Sequence, residues 1–314
     1  MDSEINRLIL EMPTWLNAHY LIEATECEII VPGVNLVFSA LTASKTTYYI
    51  KVFNRERSWA SLNLEAKLCN DLKSHAISAA AVLTNRSNDF VTVMTVQDQQ
   101  HLVLVFEQAP GTQSTYLERD IQSAAYTLAR LHQLPISHLL PCYDHQAKHA
   151  EIQRLLELNC GDVALQQHYL KLINLVKTQD FHHEMVLCHG DPRPRNIFIE
   201  HNVSKFIDFE YACISSPCMD VAIMLWNLQR WDKDGTDLTT SAAVFLNAYS
   251  QYSNRVFTLE EIAPDLLLHE IKKIAFLVQH GCLTPHIIPK ILKDSAQVMK
   301  WLRLYLSNGV NSNV

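Results

Sequence analysis

Asp191 and Asn196 stand five residues apart in a stretch, DPRPRN, that carries two prolines. Proline presets φ and does not fit inside a helix, so Pro192 and Pro194 predict a stiff loop. Asp208 lies twelve residues beyond Asn196, in the second of two short apolar runs, 196–199 and 205–209, which a polar turn at 201–202 joins. Folded as a β-hairpin, the runs return Asp208 beside Asn196. Two carboxylates and one amide oxygen then meet at one mouth. Hard oxygen donors of this kind suit Mg²⁺, which takes a few protein oxygens together with substrate phosphates. Asp191 is left to accept a proton from an attacking hydroxyl, the division of labour of kinase-type phosphoryl transfer. The competing reading is a polar turn with coincidental spacing.

The rest of the chain bounds that chemistry. Its 314 residues suggest two domains or lobes with room for a sizeable core. Apolar residues make up 48% and charged residues 19%, which excludes a disordered chain. Lys and Arg total 26 against 33 Asp and Glu, a net charge of −7. That balance argues against a nucleic-acid partner or an anionic membrane surface and allows a site for cations. Only seven glycines are present, and neither G-x-G-x-x-G nor a P-loop occurs. None of the eight cysteines forms C-x-x-C, and residues 1–4 are acidic rather than basic. Reduced thiols in a cytoplasmic protein are expected. No apolar run reaches the roughly 18 residues of a spanning helix. His183, Glu184 and His189 approach the zinc helix H-E-x-x-H, but four residues intervene where two are required.

The positioning elements follow from texture. Residues 1–25 predict a short helical entry. Residues 27–41, broken at Pro32 and Gly33, and residues 46–53 are rich in β-branched and aromatic types and predict a two-stranded hairpin with its turn at 42–45. Residues 55–74 switch to helical spacing, with Trp59, Leu62, Leu68 and Leu72. Strands are predicted again at 90–96 and 101–107. After a breaker at 108–111, helices are predicted near 114–133, 146–160, 162–179, 217–230, 238–252, 258–280 and 286–307. The expected fold is α+β and bilobal: a β-rich lobe over 1–107 that binds nucleotide, and a helical lobe over 108–314 that carries the catalytic loop and the substrate pocket.

The run HGDPRPRN from His189, then FIDFEYA from Phe206, then Asp220 resembles the Brenner-type motif of the aminoglycoside phosphotransferase and choline kinase superfamily. The resemblance implies a protein-kinase-like fold, with ATP and Mg²⁺ as cofactors. Carried over residue by residue, it implies Asp191 as catalytic base, with Asn196 and Asp208 as magnesium ligands. Tyr49-Ile50-Lys51 looks like the strand with the phosphate-binding lysine, and Glu65 like the glutamate paired with it. The segment 104–111 looks like the interlobe hinge, with Glu107 and Ala109 as nucleotide contacts. Asp220 would buttress the catalytic loop and His189 would be structural. Arg193 stands where relatives place a His or Lys, so it would touch the γ-phosphate through bidentate bonds. His132, in a segment resembling the family's Leu-Ala-x-Leu-His helix, reads as a packed helix residue.

The chain departs from the family pattern at two loops. The nucleotide loop, placed at 37–47, has no glycine, and neither has the stretch 212–219 after the metal aspartate. Glu210 replaces the glycine of a protein-kinase Asp-Phe-Gly, and eleven residues separate Asp208 from Asp220, too few for a peptide-docking segment. The implied function is therefore a small-molecule kinase acting on a metabolite hydroxyl. The acceptor is expected to be an amino alcohol or another cation, choline-, thiamine- or homoserine-like. Glu210, Trp226 and Trp231, with Asp232, Asp234 and Asp237, would line an aromatic and acidic pocket for it. For the stretch from Trp226 to Asp237 the favoured reading is instead core tryptophans followed by a solvated acidic turn. A pseudokinase that binds nucleotide or a protein partner is the alternative function. An aminoglycoside-modifying kinase is less favoured, because nothing in the chain singles out an aminoglycoside. The expected state is monomer or homodimer.

Overall fold

The computed structural model describes residues 2–53, 57–96, 98–135, 140–231 and 238–308. The chain forms two compact units. One comprises Met1–Thr112 with Phe198–His201 and Lys205–Glu210; the other comprises Gln113–Ile197, Asn202–Ser204 and Tyr211–Val314.

In the first unit, helix α1 (Asp2–Tyr20) precedes strands β1 (Ala24–Pro32), β2 (Leu36–Thr42) and β3 (Thr47–Val52). Helix α2 (Trp59–Ser74) and strands β4 (Thr92–Val96) and β5 (Gln99–Glu107) follow. The five strands form one antiparallel sheet in the order β1-β2-β3-β5-β4. Leu8, Met12 and Leu16, four residues apart on α1, pack with Phe38, Ile50, Val52, Met94, Val103 and Val105. A helical stripe thus covers one sheet face. Because strand side chains alternate, Ile50 and Val52 join that core while Lys51 emerges on the opposite face. Ser58 caps α2 by accepting the Ser61 amide.

The predicted two-stranded hairpin is three strands. The break at Pro32 and Gly33 is a complete connection, and β1 becomes the sheet edge, where proline is tolerated. Residues 37–47 accordingly belong to β2, its turn and the start of β3, whereas the β1–β2 connection is 33–35 and contains Gly33.

The short strand β6 (Thr112–Gln113) leads into helices α3 (Glu118–His132), α4 (His145–Leu155) and α5 (Val163–Val176), with β7 (Cys142–Tyr143) before α4. Then come β8 (Val186–Cys188), a 3-10 turn at Pro194–Asn196, β9 (Ile197–Glu200), β10 (Val203–Phe206) and β11 (Cys213–Ser215). Helices α6 (Pro217–Trp231), α7 (Leu238–Ser253), α8 (Leu259–Gln279) and α9 (Ile287–Asn308) complete the chain. Strands β9 and β10 form the expected hairpin, and residues of both units contribute to it.

In the second unit, α3 packs on α7 and α6 on α8. Strand β11 lies between β7 and β8, parallel to the first and antiparallel to the second. These strands are too short for their texture to stand out in the sequence. Asp144, Asp162 and Thr258 cap α4, α5 and α8, the last with a reciprocal capping box to Glu261. The cysteines are free thiols. No described helix is long and apolar enough to cross a membrane.

Candidate active site

In the helical unit, β8 delivers the chain into His189-Gly190-Asp191. Gly190 adopts φ +84°, and a Cβ there would lie 2.1 Å from the Tyr211 carbonyl oxygen. Only glycine meets both conditions without strain. Asp220, fully buried in the first turn of α6, accepts the His189 amide at 2.6 Å and the Gly190 amide at 2.8 Å. His132 Nε2 lies 3.2 Å from the same carboxylate, and its Nδ1 is 2.7 Å from the Tyr249 hydroxyl. A carboxylate can only accept, so Nε2 carries the ring proton. His132 is thus a packed residue that supports Asp220.

Asp191 is 6% exposed. Its carbonyl accepts Asn196 Nδ2 at 2.9 Å and the Arg193 amide at 2.8 Å. Its carboxylate Oδ2 lies 2.8 Å from Arg193 Nε and 3.4 Å from Asn196 Nδ2. The 3-10 turn opened by Pro194 makes this compactness possible, because it returns Asn196 onto the loop that it ends. Asn196 spends its amide donor on Asp191, so Oδ1 is the atom that it can offer to a cation.

In the sheet unit, Lys51 Nζ lies 2.7 Å from Asp208 Oδ1 and 2.7 Å from Glu210 Oε2. The expected partner, Glu65, is more distant at 3.9 Å, and its other oxygen takes Arg57 Nη2 at 3.1 Å. Burial disfavours the ammonium, yet Asp208, Glu65 and Glu210 outweigh it and hold the Lys51 amine above its usual range. Asp208 adopts φ +66°, a strained conformation for a non-glycine residue. The strand that delivers it is pinned by Ala79 N–H to Phe206 O and Phe206 N–H to Ile77 O, both 2.7 Å. Within the sheet unit the donor chemistry fits a magnesium-bound phosphate chain: a hard carboxylate, Asp208, for the cation and a buried ammonium, Lys51, for the anion.

Burial pushes the Glu65 carboxyl up to about 7, with Lys51 only partly opposing it. The folded protein therefore holds a proton that the unfolded chain has released between pH 4.5 and about 7. Stability from this group is present at the acid end and is lost as pH rises through that window. Glu65→Gln, neutral throughout, should lose the slope. Paired thermal melts should show the variant gaining on wild type as pH rises from 4.5 to 7. A difference flat across that window would contradict the assignment.

Other residues singled out from the sequence have definite places. The Glu107 carboxylate pairs with Lys73, and its amide donates to Ala81 O. Ala109 is buried with Ala79 and Ala80, and Phe106, Phe198 and Ile207 pack on them. Sequence reasoning missed this apolar cluster; the alternation within 196–199 and 205–209 was the available signal. Glu210 is not an acid open to an acceptor: its side chain is 10% exposed and is held by Lys51, Asn35 and Arg57. Trp226 is a core residue whose indole donates to Glu270 and meets the edge of His269. Trp231 ends α6; its side chain and Asp232, Asp234 and Asp237 lie outside the described residues.

The chain resembles known structures over nearly its whole length. An amicoumacin kinase in complex with AMP-PNP and Ca²⁺ matches with TM-score 0.72 at 16% identity, covering 96% of this chain and 95% of that one. A microcompartment-associated aminopropanol kinase matches with TM-score 0.73 at 13% identity, covering 95% and 98%. An aminoglycoside-3'-phosphotransferase of type VIII matches with TM-score 0.59 at 19% identity, covering 78% and 93%. These likenesses show a shared fold, the bilobal kinase-like one expected from the sequence. No curated protein matches the chain in sequence. The model of the phosphotransferase enzyme family matches residues 33–261, a span that includes Lys51, Asp191, Asn196, Asp208 and Asp220. With most of its length matched, and with the motif loop built as described, the chain belongs to the phosphotransferase enzyme family.

Proposed function

We propose that this protein is an ATP- and Mg²⁺-dependent kinase that phosphorylates the hydroxyl of a small amino alcohol. The observation that carries the reading is the Asp191 loop: a nearly buried carboxylate on a loop whose preceding amides are fixed by Asp220. A base held this rigidly can orient an acceptor hydroxyl and take its proton at little cost in reorganisation.

Mg·ATP would supply the electrophilic phosphorus and the counter-charge for the developing negative oxygens. Asp191 orients the acceptor alcohol and accepts its proton. Arg193, whose Nε lies 2.8 Å from Asp191 Oδ2, limits the rotation of that carboxylate. As the resemblance implies, Asn196 and Asp208 would offer oxygens to the metal, and Lys51 would offer its ammonium to the phosphates. The Ala79, Ala80 and Ala109 cluster provides an apolar surface suited to the base of the nucleotide.

The amino-alcohol acceptor is supported by the likeness to the aminopropanol kinase, which covers 95% of this chain and 98% of that one. It does not draw on Glu210 or Trp226, whose polar groups have other partners. A screen of amino alcohols, vitamins, sugars and aminoglycosides with ATP and Mg²⁺, read as ADP release, tests it. Turnover confined to neutral sugars or anionic alcohols overturns the acceptor class and leaves the kinase. No turnover with any acceptor, together with no nucleotide binding, overturns both.

Loss of a metal carboxylate gives a second check. Asp208→Ala should weaken Mg·AMP-PNP by roughly tenfold or more, because the metal loses a hard ligand and the triphosphate loses neutralisation. Calorimetry giving equal affinities removes Asp208 from the site.

A further inference from the structure

The first turn of α2 is preceded by a cation that the motif reading does not use. Arg57 Nη2 donates to Glu65 at 3.1 Å. Its Nη1 lies 3.4 Å from the Glu210 carbonyl oxygen and 3.7 Å from Glu210 Oε1. Its Nε is buried and makes no hydrogen bond among the described residues. The guanidinium lies 5.9 Å from the Phe53 ring, and Lys51 Nζ lies 4.9 Å from the same ring. Two cations therefore share one aromatic support in the sheet unit.

Glu210 sits where these cations converge. Its Oε2 accepts Lys51 Nζ at 2.7 Å and Asn35 Nδ2 at 2.9 Å, and Oε1 is 3.1 Å from that same amide nitrogen. An ammonium, a side-chain amide and a guanidinium edge around one carboxylate form the donor set that a phosphate group selects. Lys51 has three N–H donors, and Asp208 and Glu210 take two at short distance. An incoming phosphate that engages Lys51 fully must displace one of them. Asp208 is the metal ligand in the proposed reading, which leaves Glu210 as the group to move.

We propose that Arg57 is a second phosphate-binding cation, and that Glu210 is an internal counter-anion that competes with the nucleotide's phosphates for Lys51 and Arg57. The proposal rests on the kinase reading of this site. Its energetics are those of exchange: the carboxylate satisfies two cations that would otherwise repel each other, and it yields to a ligand of higher charge. The exchange also assigns Asn35, in the β1–β2 connection, a part in holding the competitor.

Calorimetry with Mg·AMP-PNP on the full chain tests this, with thermal melts to verify folding. Arg57→Gln should raise Kd about tenfold, the loss of one charge-assisted contact. Arg57→Lys keeps a charge beside Glu65 but lacks the planar fork, so it should fall between Arg57→Gln and wild type. Glu210→Gln should lower Kd by about tenfold, because the competing charge is gone while the shape is kept. Two results overturn the proposal: an unchanged Kd in a folded Arg57→Gln protein, or weaker binding in a folded Glu210→Gln protein. Nucleotide binding that is absent from both wild type and Glu210→Gln overturns the kinase reading, and the proposal with it. Binding in wild type that ignores Arg57 overturns this proposal alone.

Discussion

Asp191→Asn is expected to lower turnover by roughly 10²- to 10⁴-fold, the range for loss of a positioned base. Asparagine is nearly isosteric and can still accept from Asn196 Nδ2, whose main bond in any case goes to the Asp191 carbonyl at 2.9 Å. The loop should therefore keep its shape. What disappears is the charge that takes the acceptor's proton and pairs with Arg193. Nucleotide affinity should stay within about threefold, because Lys51 and Asp208 belong to the other unit and keep their partners. Acceptor-dependent ADP release and calorimetry on the same preparation check both halves. Turnover near the wild-type rate removes Asp191 as the base. A collapse of nucleotide binding alongside turnover makes it a structural residue instead.

Among the described glycines of the helical unit, Gly190→Ala is expected to be the most disruptive. The residue stands at φ +84°, where an L side chain costs about 1–2 kcal/mol. The new Cβ would also meet the Tyr211 carbonyl oxygen at 2.1 Å and its carbon at 2.6 Å. Backbone atoms cannot rotate aside as a flexible side chain can, so the loop or the 211 segment must shift. Together these effects place the loss at roughly 3 kcal/mol or more, within the tail of large single-residue effects. A shift near 1 Å would also move Asp191 and cost on the order of a hundredfold in rate. Denaturant unfolding and kcat/KM measure the two consequences. A variant with wild-type stability and activity would show that the φ and the close approach are not what this loop requires. Gly161, at φ +73° with nothing within 4 Å, is the control: alanine there meets the backbone penalty without the clash.

Much of this site was legible because its parts are local in sequence. Asp191 and Asn196 are bound to one loop by two prolines, and the β9–β10 hairpin links that loop to Asp208 through a short turn. Helices α3 and α8 announced themselves by periodicity, since each buries one stripe of apolar residues. The family resemblance implied that Asp220 buttresses the loop, and its carboxylate accepts the His189 and Gly190 amides. Residue type and spacing are sufficient wherever backbone geometry over a few residues dictates the contact.

Partner choice among distant residues was decided only in three dimensions. Glu65 was the expected companion of Lys51, but its carboxylate lies closer to Arg57, and the ammonium turns to Asp208 and Glu210. Two of the three carboxylates around Lys51, Asp208 and Glu210, are more than 150 positions away in the chain, so which of them the lysine touches depends on a few ångströms between distant segments. Nothing in composition or period encodes that distance. An indole serves a pocket wall or a core; the sequence favoured core for Trp226, and its depth beside Glu270 agrees. The sequence by itself determined the stiff Asp191 loop, the strand that carries Lys51 and the alternation of elements. Those depend on local φ restrictions and on the periods of strand and helix. Only the tertiary structure decided that Glu210 lies on Lys51 and Arg57 rather than open to solvent, because ion pairing is a matter of distance and burial, and both arise when separate segments pack.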